Sequence, residues 1–241
     1  MTYLQLVQML AEKCGATAPS TVISQSGEAL RLVNWVADAW NEIQTMSQQW
    51  KWMRNEFSFQ TIVDVNKNAY TPSSDGSGNP NVGLTDHSEW HKDTFRLYLT
   101  STGRAGEVFL KNWDYANWRD VWGFGVNATL LMRPIVWAER PRDLAIVFGA
   151  APNAIYTITG EYQRKPLVMS MNTDVPGVVA VTDRGLPDRF HRLIVYRAMM
   201  MYGAYEAAAE VRGEGQQNYS TMLSALKADQ LPSFSLGGAL A

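Results

Sequence analysis

Two histidines four residues apart, His87 and His91, come closest to a metal-binding motif in this chain. Asp86, Glu89 and Asp93 surround them, so a helix over this stretch would place both imidazoles on one face, where they could share a metal ion. The stretch, however, follows a segment rich in glycine and proline, shows no helical apolar stripe and lacks the HExxH pattern. We therefore interpret it as a polar loop and predict no metal site.

Two other potentially reactive side chains lack the neighbours that catalysis needs. His191 lies between Phe190 and Leu193, and no Ser or Cys nucleophile is evident by motif, so a structural histidine is the simpler interpretation. Cys14 is the only cysteine; it stands at the end of a predicted helix and has no CxxC partner, so we expect it to pack rather than react. The sequence predicts no catalytic residue and no enzyme.

Neither nucleotide-binding motif is complete. Residues 123–126 read Gly-Phe-Gly-Val, but the third glycine of a dinucleotide-binding loop is missing and no strand–turn–helix pattern surrounds them. The P-loop pattern is absent from the chain. We therefore predict no cofactor.

The tryptophans of the middle of the chain suggest an alternative function. Aromatic rings stack on sugars, so a cleft with tryptophans and facing carboxylates would make a carbohydrate-binding or glycan-processing protein. A tryptophan-rich core explains the same residues without any ligand. The residues concerned are Trp90, Trp113, Trp118, Trp122 and Trp137.

The composition indicates a folded chain whose net charge does not favour binding to nucleic acid. The 241 residues are 46% hydrophobic and 11% aromatic, enough for a sizeable core. The net charge of -2 gives no support for a nucleic-acid-binding module, although local contact with DNA stays open. The N-terminal residues are too polar for a signal peptide, and no apolar run approaches a membrane span of about 18 residues. We expect a soluble, non-secreted protein without a membrane segment.

Four segments near the two ends of the chain have helical periodicity. The longest, residues 28–50, carries an apolar stripe that includes several tryptophans and must be buried against a partner. Residues 2–13 form a short helix that begins with a capping box, and residues 188–212 and 216–229 form two more. Because the 188–212 helix offers the matching apolar surface, we expect the terminal helices to close into one bundle.

Between these helices the period changes to two, as expected for strands. Glycine and proline interrupt the strands about every ten residues, which favours an antiparallel sandwich or a barrel-like sheet. Residues 66–84 read as a long exposed loop, and residues 113–122 as one or two helical turns. The predicted strands cover residues 57–65, 94–100, 107–111, 128–132, 135–139, 144–148 and 154–164.

The predicted fold class is therefore α+β. Residues 1–55 and 186–229 form a four-helix bundle from the N- and C-terminal helices. Residues 56–185 form an inserted antiparallel β-sandwich-like domain, and residues 230–241 an extended C-terminal tail.

The tail has the composition of a docking segment. Leu231, Phe234, Leu236 and Leu240 are apolar, and no residue after Asp229 is charged. A dozen residues cannot build a core, so the tail either stays mobile or binds a groove or sheet edge of another chain. We treat these four side chains as candidate docking residues.

Several stretches resemble one protein family. Residues 186–198, Leu-Pro-Asp-Arg-Phe-His-Arg-Leu-Ile-Val-Tyr-Arg-Ala, followed by Tyr202 and Tyr205, resemble the C-terminal helix of tailed-bacteriophage head-to-tail adaptor (connector) proteins of the SU10 podophage type. The similarity covers most of the chain, although residues 66–126 match only as a variable β insertion. The other similar stretches are residues 4–10, residues 30–52 with their closing Gln-Gln-Trp-Lys-Trp, and residues 156–166.

This resemblance implies a structural virion protein, assembled in the host cytoplasm and located at the head–tail interface. Such adaptors form a homo-oligomeric ring, typically a dodecamer, beneath the portal protein. Their C-terminal segment reaches into the portal, their β insertion can meet tail nozzle or tail-fibre proteins, and genomic double-stranded DNA passes through the channel. A ring needs two unlike surfaces on each subunit. Arg31, Asp38 and Glu42 on the long helix are candidates for that interface or for the channel lining; an ordinary solvated face explains them equally well.

Overall fold

Helix α1 begins with the capping box that its sequence predicts. In the computed structural model, which describes residues 1–47, 49–64, 68–74, 76, 78–169 and 185–232, the Gln5 N–H donates to Thr2 Oγ1 at 3.1 Å. The Thr2 N–H in turn donates to Gln5 Oε1 at 2.9 Å, and Gly15 ends the helix in the left-handed conformation. The helices are α1 (Tyr3–Cys14), α2 (Gly27–Thr45), α3 (Tyr115–Trp122), α4 (Arg192–Tyr205) and α5 (Ala209–Gln230).

The chain is an α+β protein that divides into two units. A helical unit comprises Met1–Met53 and Pro166–Ala241, and a β unit comprises Arg54–Lys165. Within the helical unit, α4 contacts each of the other three helices. Buried side chains of all four helices share one core, which includes Leu6, Leu10, Val33, Val36, Leu193, Ile194 and Leu226.

Helix α2 ends at Thr45, five residues before the predicted end. The apolar stripe continues past that point because Trp50 folds back on the helix, where its Nε1 donates to the carbonyl of Ile43 at 2.9 Å. Lys51–Met53 form a 3-10 turn, and Trp52 stacks on Trp40 with ring centroids 5.4 Å apart. The tryptophans therefore serve the core of the helical unit but are not all helical.

The predicted break between the last two helices was placed wrongly. Gly213 and Gly215 lie inside α5, and the chain turns at Glu206–Ala208 instead, where Ala207 has a positive φ of 55°. A Cβ on Gly203 would lie 2.7 Å from the Cβ of Arg212, and one on Gly215 would lie 3.0 Å from the Cβ of Met199 on α4. These two glycines permit close helix packing instead of ending a helix.

The residues directly after the β unit belong to the helical unit. The prediction assigned residues 56–185 to the inserted domain, whereas Pro166 to Met169 belong to the helical unit. Gln44 is buried on α2 because its side-chain amide satisfies both polar groups of Leu167: the Leu167 N–H donates to Gln44 Oε1, and Gln44 Nε2 donates to the Leu167 carbonyl, each at 2.9 Å. Trp40 Nε1 donates to the same carbonyl at 2.7 Å.

Eleven strands are described in the β unit, mostly antiparallel as predicted. One sheet has the order β1-β11-β4-β5, with β3 also paired to β11; a second has the order β2-β9-β8-β6; β7 and β10 form a separate pair. The strands are β1 (Arg54–Gln60), β2 (Ala69–Tyr70), β3 (His87–Trp90), β4 (Arg96–Leu99), β5 (Val108–Phe109), β6 (Lys111–Asn112), β7 (Leu131–Met132), β8 (Val136–Arg140), β9 (Ala145–Gly149), β10 (Ala151–Pro152) and β11 (Tyr156–Arg164).

Two strand pairs are parallel and depart from the antiparallel prediction. Strands β6 and β8 pair in parallel, as do β7 and β10. Parallel neighbours need a crossover connection, and the chain between β6 and β8 supplies one that contains α3. A sequence pattern of short strands does not reveal such a crossover.

Aromatic side chains from both larger sheets meet in one core. Along β1, Phe57 and Phe59 point inward and alternate with exposed polar residues. Phe95 beside β4 stacks on Trp137 of β8, with centroids 3.8 Å apart and nearly parallel planes. Tyr70 of β2 lies 5.0 Å from Phe59, which again joins the two sheets.

Candidate interaction surfaces

His87–Trp90 form strand β3, so the interpretation of this part as a polar loop was wrong, whereas His91 follows the strand and precedes a 3-10 turn. His87 is only 3% exposed, and its ring packs on Trp90 at 3.9 Å between centroids. Trp90 fills the core and pairs with Tyr162 across the sheet, which explains why a stretch with so many polar residues folds as β3. Across the described ranges, no group of three or more His, Cys, Asp or Glu side chains could hold a metal ion.

His87 has a strongly lowered pKa within the β unit. Neither ring nitrogen has a hydrogen-bond partner among the residues that the structure describes. Burial, and secondarily the positive charge of Lys165, lower the pKa of His87 to about 4, against a smaller opposing effect of Asp86. The imidazole is therefore neutral at neutral pH, which suits its place against Trp90.

His191 and Cys14 have structural environments. The His191 ring is fully buried, with Nε2 2.9 Å from the carbonyl oxygen of Leu186 and Nδ1 2.7 Å from the Met1 amine. Burial raises the pKa of the Cys14 thiol to about 12, so the reactive thiolate is scarce at neutral pH. Cys14 is the last residue of α1, and His191 directly precedes α4.

The tryptophans do not assemble into the cleft that a glycan-binding protein needs. Trp90 and Trp137 are buried in the core of the β unit, while Trp113, Trp118 and Trp122 are partly exposed on or just before α3. An open groove of about 590 Å³ on the same unit has four carboxylates on its walls, but none of the described residues that line it is a tryptophan. These carboxylates are Glu56, Asp93, Glu107 and Glu161.

The helical unit carries a surface that we call the arginine–aromatic cluster: Arg31, Trp35, Tyr202 and Tyr205. Trp35 of α2 contacts both tyrosines of α4, with centroids 5.8 Å from Tyr202 and 5.6 Å from Tyr205. The Arg31 guanidinium lies 4.9 Å above the ring of Tyr205, which is 60% exposed. Trp, Tyr and Arg are the residue types most enriched at the energetic centres of protein interfaces.

Arg31 has an unmet hydrogen-bonding requirement in this cluster. Its Nε is shielded from water and has no acceptor within the described part of the chain. A buried donor without an acceptor costs about 1–3 kcal/mol, so a carboxylate or carbonyl from another molecule would be favoured here. Sequence inspection selected Arg31 but missed Trp35, which stands one turn later beside the buried stripe and could have been found from that spacing.

The other two candidates on α2 do not join this cluster. Asp38 is exposed. Glu42 forms an ion pair with Arg197 of α4, with Oε1 3.2 Å from Nη2, so its charge has a partner in its own subunit. Of the three polar residues, only Arg31 lies in an aromatic surface.

The structure reaches only the beginning of the tail. Leu231 is partly buried against the core of the helical unit, and its N–H donates to the carbonyl of Lys227 at 3.0 Å, at the end of α5. Leu231 therefore has an internal role in its own subunit. Phe234, Leu236 and Leu240 lie outside the described residues.

A second surface, which sequence inspection missed, extends from α3 to the start of β8. Six large apolar side chains are exposed there, and we call them the apolar lobe: Val121, Phe124, Val126, Leu130, Leu131 and Ile135. The Gly-Phe-Gly-Val stretch lies inside this lobe, between α3 and a 3-10 turn at Gly125–Thr129. Val126 is 82% exposed and Phe124 66%. The stretch thus presents apolar side chains and opens no long helix that could bind phosphate.

Comparison with known proteins identifies a family model that matches most of the chain. A family model described as SU10 adaptor protein matches residues 1–237, which includes both units and the stretch 66–126 that resembled the family least. A search of curated proteins finds no match. No helix in the described ranges is long and apolar enough to span a bilayer.

Proposed function

The chain belongs to the SU10 adaptor protein family, and we propose that it is the head-to-tail adaptor of a tailed bacteriophage. In this role it forms a ring beneath the portal, links the capsid vertex to the tail, and lets double-stranded DNA pass through its channel. The family is a structural one, and the match over residues 1–237 is the observation that carries the proposal.

Each part of the fold has a place in this proposal. A four-helix bundle of α1, α2, α4 and α5 builds the ring, and a β-sandwich-like insertion faces the tail nozzle or tail-fibre proteins. The C-terminal tail reaches the portal. Asp38, exposed on α2, would suit a channel lining, because a carboxylate repels the phosphate backbone and lets DNA slide.

We assign the arginine–aromatic cluster to the contact between neighbouring subunits. Its aromatic rings are held by one another and lose little freedom on binding, while Arg31 Nε still needs an acceptor. A closed ring uses unlike surfaces on the two sides of each subunit, so the acceptor would come from a different surface of the next copy.

Tyr205→Ala tests this assignment. The ring of Tyr205 is mostly exposed, so the fold should persist, but assembly should weaken about tenfold or more because a central aromatic contact is lost. Mass photometry of the full chain, with and without portal rings, would measure assembly. Tyr98→Ala, a partly exposed tyrosine of the β unit, is the matched control. Assembly of the Tyr205→Ala variant at wild-type concentrations would remove the cluster from the interface.

Truncation after Pro232 tests the tail. This cut keeps Leu231, which packs on its own subunit, and removes the apolar Phe234, Leu236 and Leu240. We expect unchanged folding and self-assembly but at least about tenfold weaker binding to portal rings, since the loss of a single anchoring side chain at an interface commonly has that effect. A truncated chain that binds portal as tightly as the full chain would contradict the tail's docking role.

A further inference from the structure

Strand β1 is an open edge of its sheet. It pairs with β11 along its whole length, and no strand in the described part of the chain pairs with its other side. The Thr61 N–H donates to the carbonyl of Tyr156 at 2.9 Å, and main-chain groups alternate in direction along an antiparallel ladder. The N–H and carbonyl groups of Glu56, Ser58 and Gln60 therefore point away from β11, and all three residues are exposed.

This edge lacks the features by which proteins protect exposed strands. Natural edge strands are often short, interrupted by proline or a bulge, or marked by lysine, because free main-chain groups pair readily with another chain. Strand β1 has seven residues in continuous register with β11, and no proline or lysine is among them. The other strands at described sheet edges have two to four residues. An extended polypeptide segment would satisfy the free groups of β1 in a row.

The side chains beside this edge favour a basic partner. Glu56 lies directly opposite Glu161 in the register of β1 and β11, and like charges in that position are unfavourable. Glu161 forms an ion pair with Arg54, whereas Glu56 has no ion pair among the described residues. The open groove of about 590 Å³ includes residues of β1, and its walls carry four carboxylates against two guanidinium groups. A cation beside Glu56 would relieve the repulsion.

We propose that β1 binds a basic, extended segment of a tail nozzle protein, which adds to the sheet as a further strand. The inference rests on the proposed adaptor, in which the β unit faces the tail. The added strand places apolar side chains in line with Phe57 and Phe59, and a lysine or arginine beside Glu56.

A second copy of this chain fits the edge less well. Apart from β1 itself, the described edge strands have at most four residues, too few to cover seven. A pair of β1 strands from two copies would be two-fold symmetric, and such a contact closes a dimer instead of a ring.

Ser58→Pro tests the main-chain pairing. Proline removes the outward N–H of residue 58, and edge strands tolerate proline where that N–H points to solvent. Binding of assembled rings to purified nozzle protein, measured by biolayer interferometry, should weaken about tenfold or more, because a hydrogen bond and the close approach of the added strand are lost. Ser58→Ala is the matched control, since it keeps the N–H and should bind as the unchanged chain does.

Glu56→Lys tests the charge and does not depend on how β1 tolerates proline. The new side chain lies opposite Glu161, so the fold should be at least as stable. It repels a basic segment, so binding to nozzle protein should weaken about tenfold or more. Asp120→Lys makes the same change of charge on α3, outside the groove, and should leave binding unchanged.

The outcomes separate this inference from the proposed function. Unchanged nozzle binding by either variant, in rings that form normally with portal, would overturn the strand addition at β1 and leave the adaptor ring intact. Loss of ring formation in Ser58→Pro but not in Ser58→Ala would assign the edge to a neighbouring copy and so also overturn it. Rings of the unchanged chain that do not bind nozzle protein would overturn it as well. Failure of the unchanged chain to form rings with portal would overturn the proposed function itself.

Discussion

Replacement of Gly203 by alanine is expected to destabilise the helical unit by about 2–3 kcal/mol. The added methyl would lie 2.7 Å from the Cβ of Arg212 and 2.8 Å from the carbonyl oxygen of Ala208, closer than packed atoms allow. Two of the three nearest atoms belong to the backbone of the α4–α5 turn and of α5, so a rotamer change cannot relieve the overlap. Urea unfolding followed by far-UV circular dichroism would measure the loss.

Gly213→Ala supplies the matched control on the neighbouring helix. No described atom lies within 4 Å of a Cβ at Gly213, so the substitution removes only the poor helix propensity of glycine. It should raise the free energy of unfolding by up to about 1 kcal/mol. If both variants were more stable than the original chain, α4 and α5 would not pack as closely as the structure has them.

These glycines show where local sequence patterns stop being informative. The capping box of Thr2 and Gln5 involves neighbours in the chain, and the predicted helix formed with it. Gly213 and Gly215 would locally indicate the end of a helix. Helix α5 nevertheless continues through both, because its packing against α4 outweighs the poor helix propensity of glycine. Only the three-dimensional contact distinguishes a glycine that ends a helix from one that admits a neighbour.

Several of the strands were predictable in position but not in pairing. The sequence pattern located β1, β4, β8, β9 and β11, which all contribute apolar side chains to the aromatic core. Strand β6 pairs in parallel with β8 across a connection that contains α3, and β7 pairs in parallel with β10 across a connection that contains β8 and β9. His87 was read as part of a loop because its neighbours are polar, although His87 and Trp90 are both buried on one side of β3.

The interaction surfaces were the least predictable feature, because residue type alone does not show whether a side chain is exposed. Phe95 is fully buried and Phe124 is 66% exposed, although both follow polar or small residues in the chain. Arg31 could be selected because it lies on the polar face of the long helix, but the tyrosines beside it come from α4, more than 170 residues away. A surface assembled from two helices needs their packing to be known first.

Acid should lower the free energy of unfolding of the β unit, because the buried imidazole of His87 resists protonation in the folded chain. The pKa of His87 is about 4 in the folded chain, against an ordinary value of 6.5. Above pH 6.5 the imidazole is neutral in both states and costs nothing. Between pH 6.5 and 4 the unfolded chain binds a proton that the folded chain excludes, so the free energy of unfolding falls, by about 3 kcal/mol in total. Below pH 4 His87 is protonated in both states, so the loss is complete and His87 no longer changes the free energy of unfolding.

His87→Phe should remove most of that dependence, because phenylalanine keeps an aromatic ring against Trp90 and cannot be protonated. The charged groups around position 87 that affect its titration, Lys165 and Asp86, are unchanged in the variant, so the difference between the two chains isolates the imidazole. His91, whose pKa burial also lowers, remains in both as an internal reference. Urea unfolding monitored by tryptophan fluorescence at pH 7, 5.5 and 4.5 gives the slope of the free energy of unfolding against pH for each of the two chains. Equal slopes would place the acid sensitivity in other groups, whereas a shallower slope in the variant would assign the difference to the buried His87 ring.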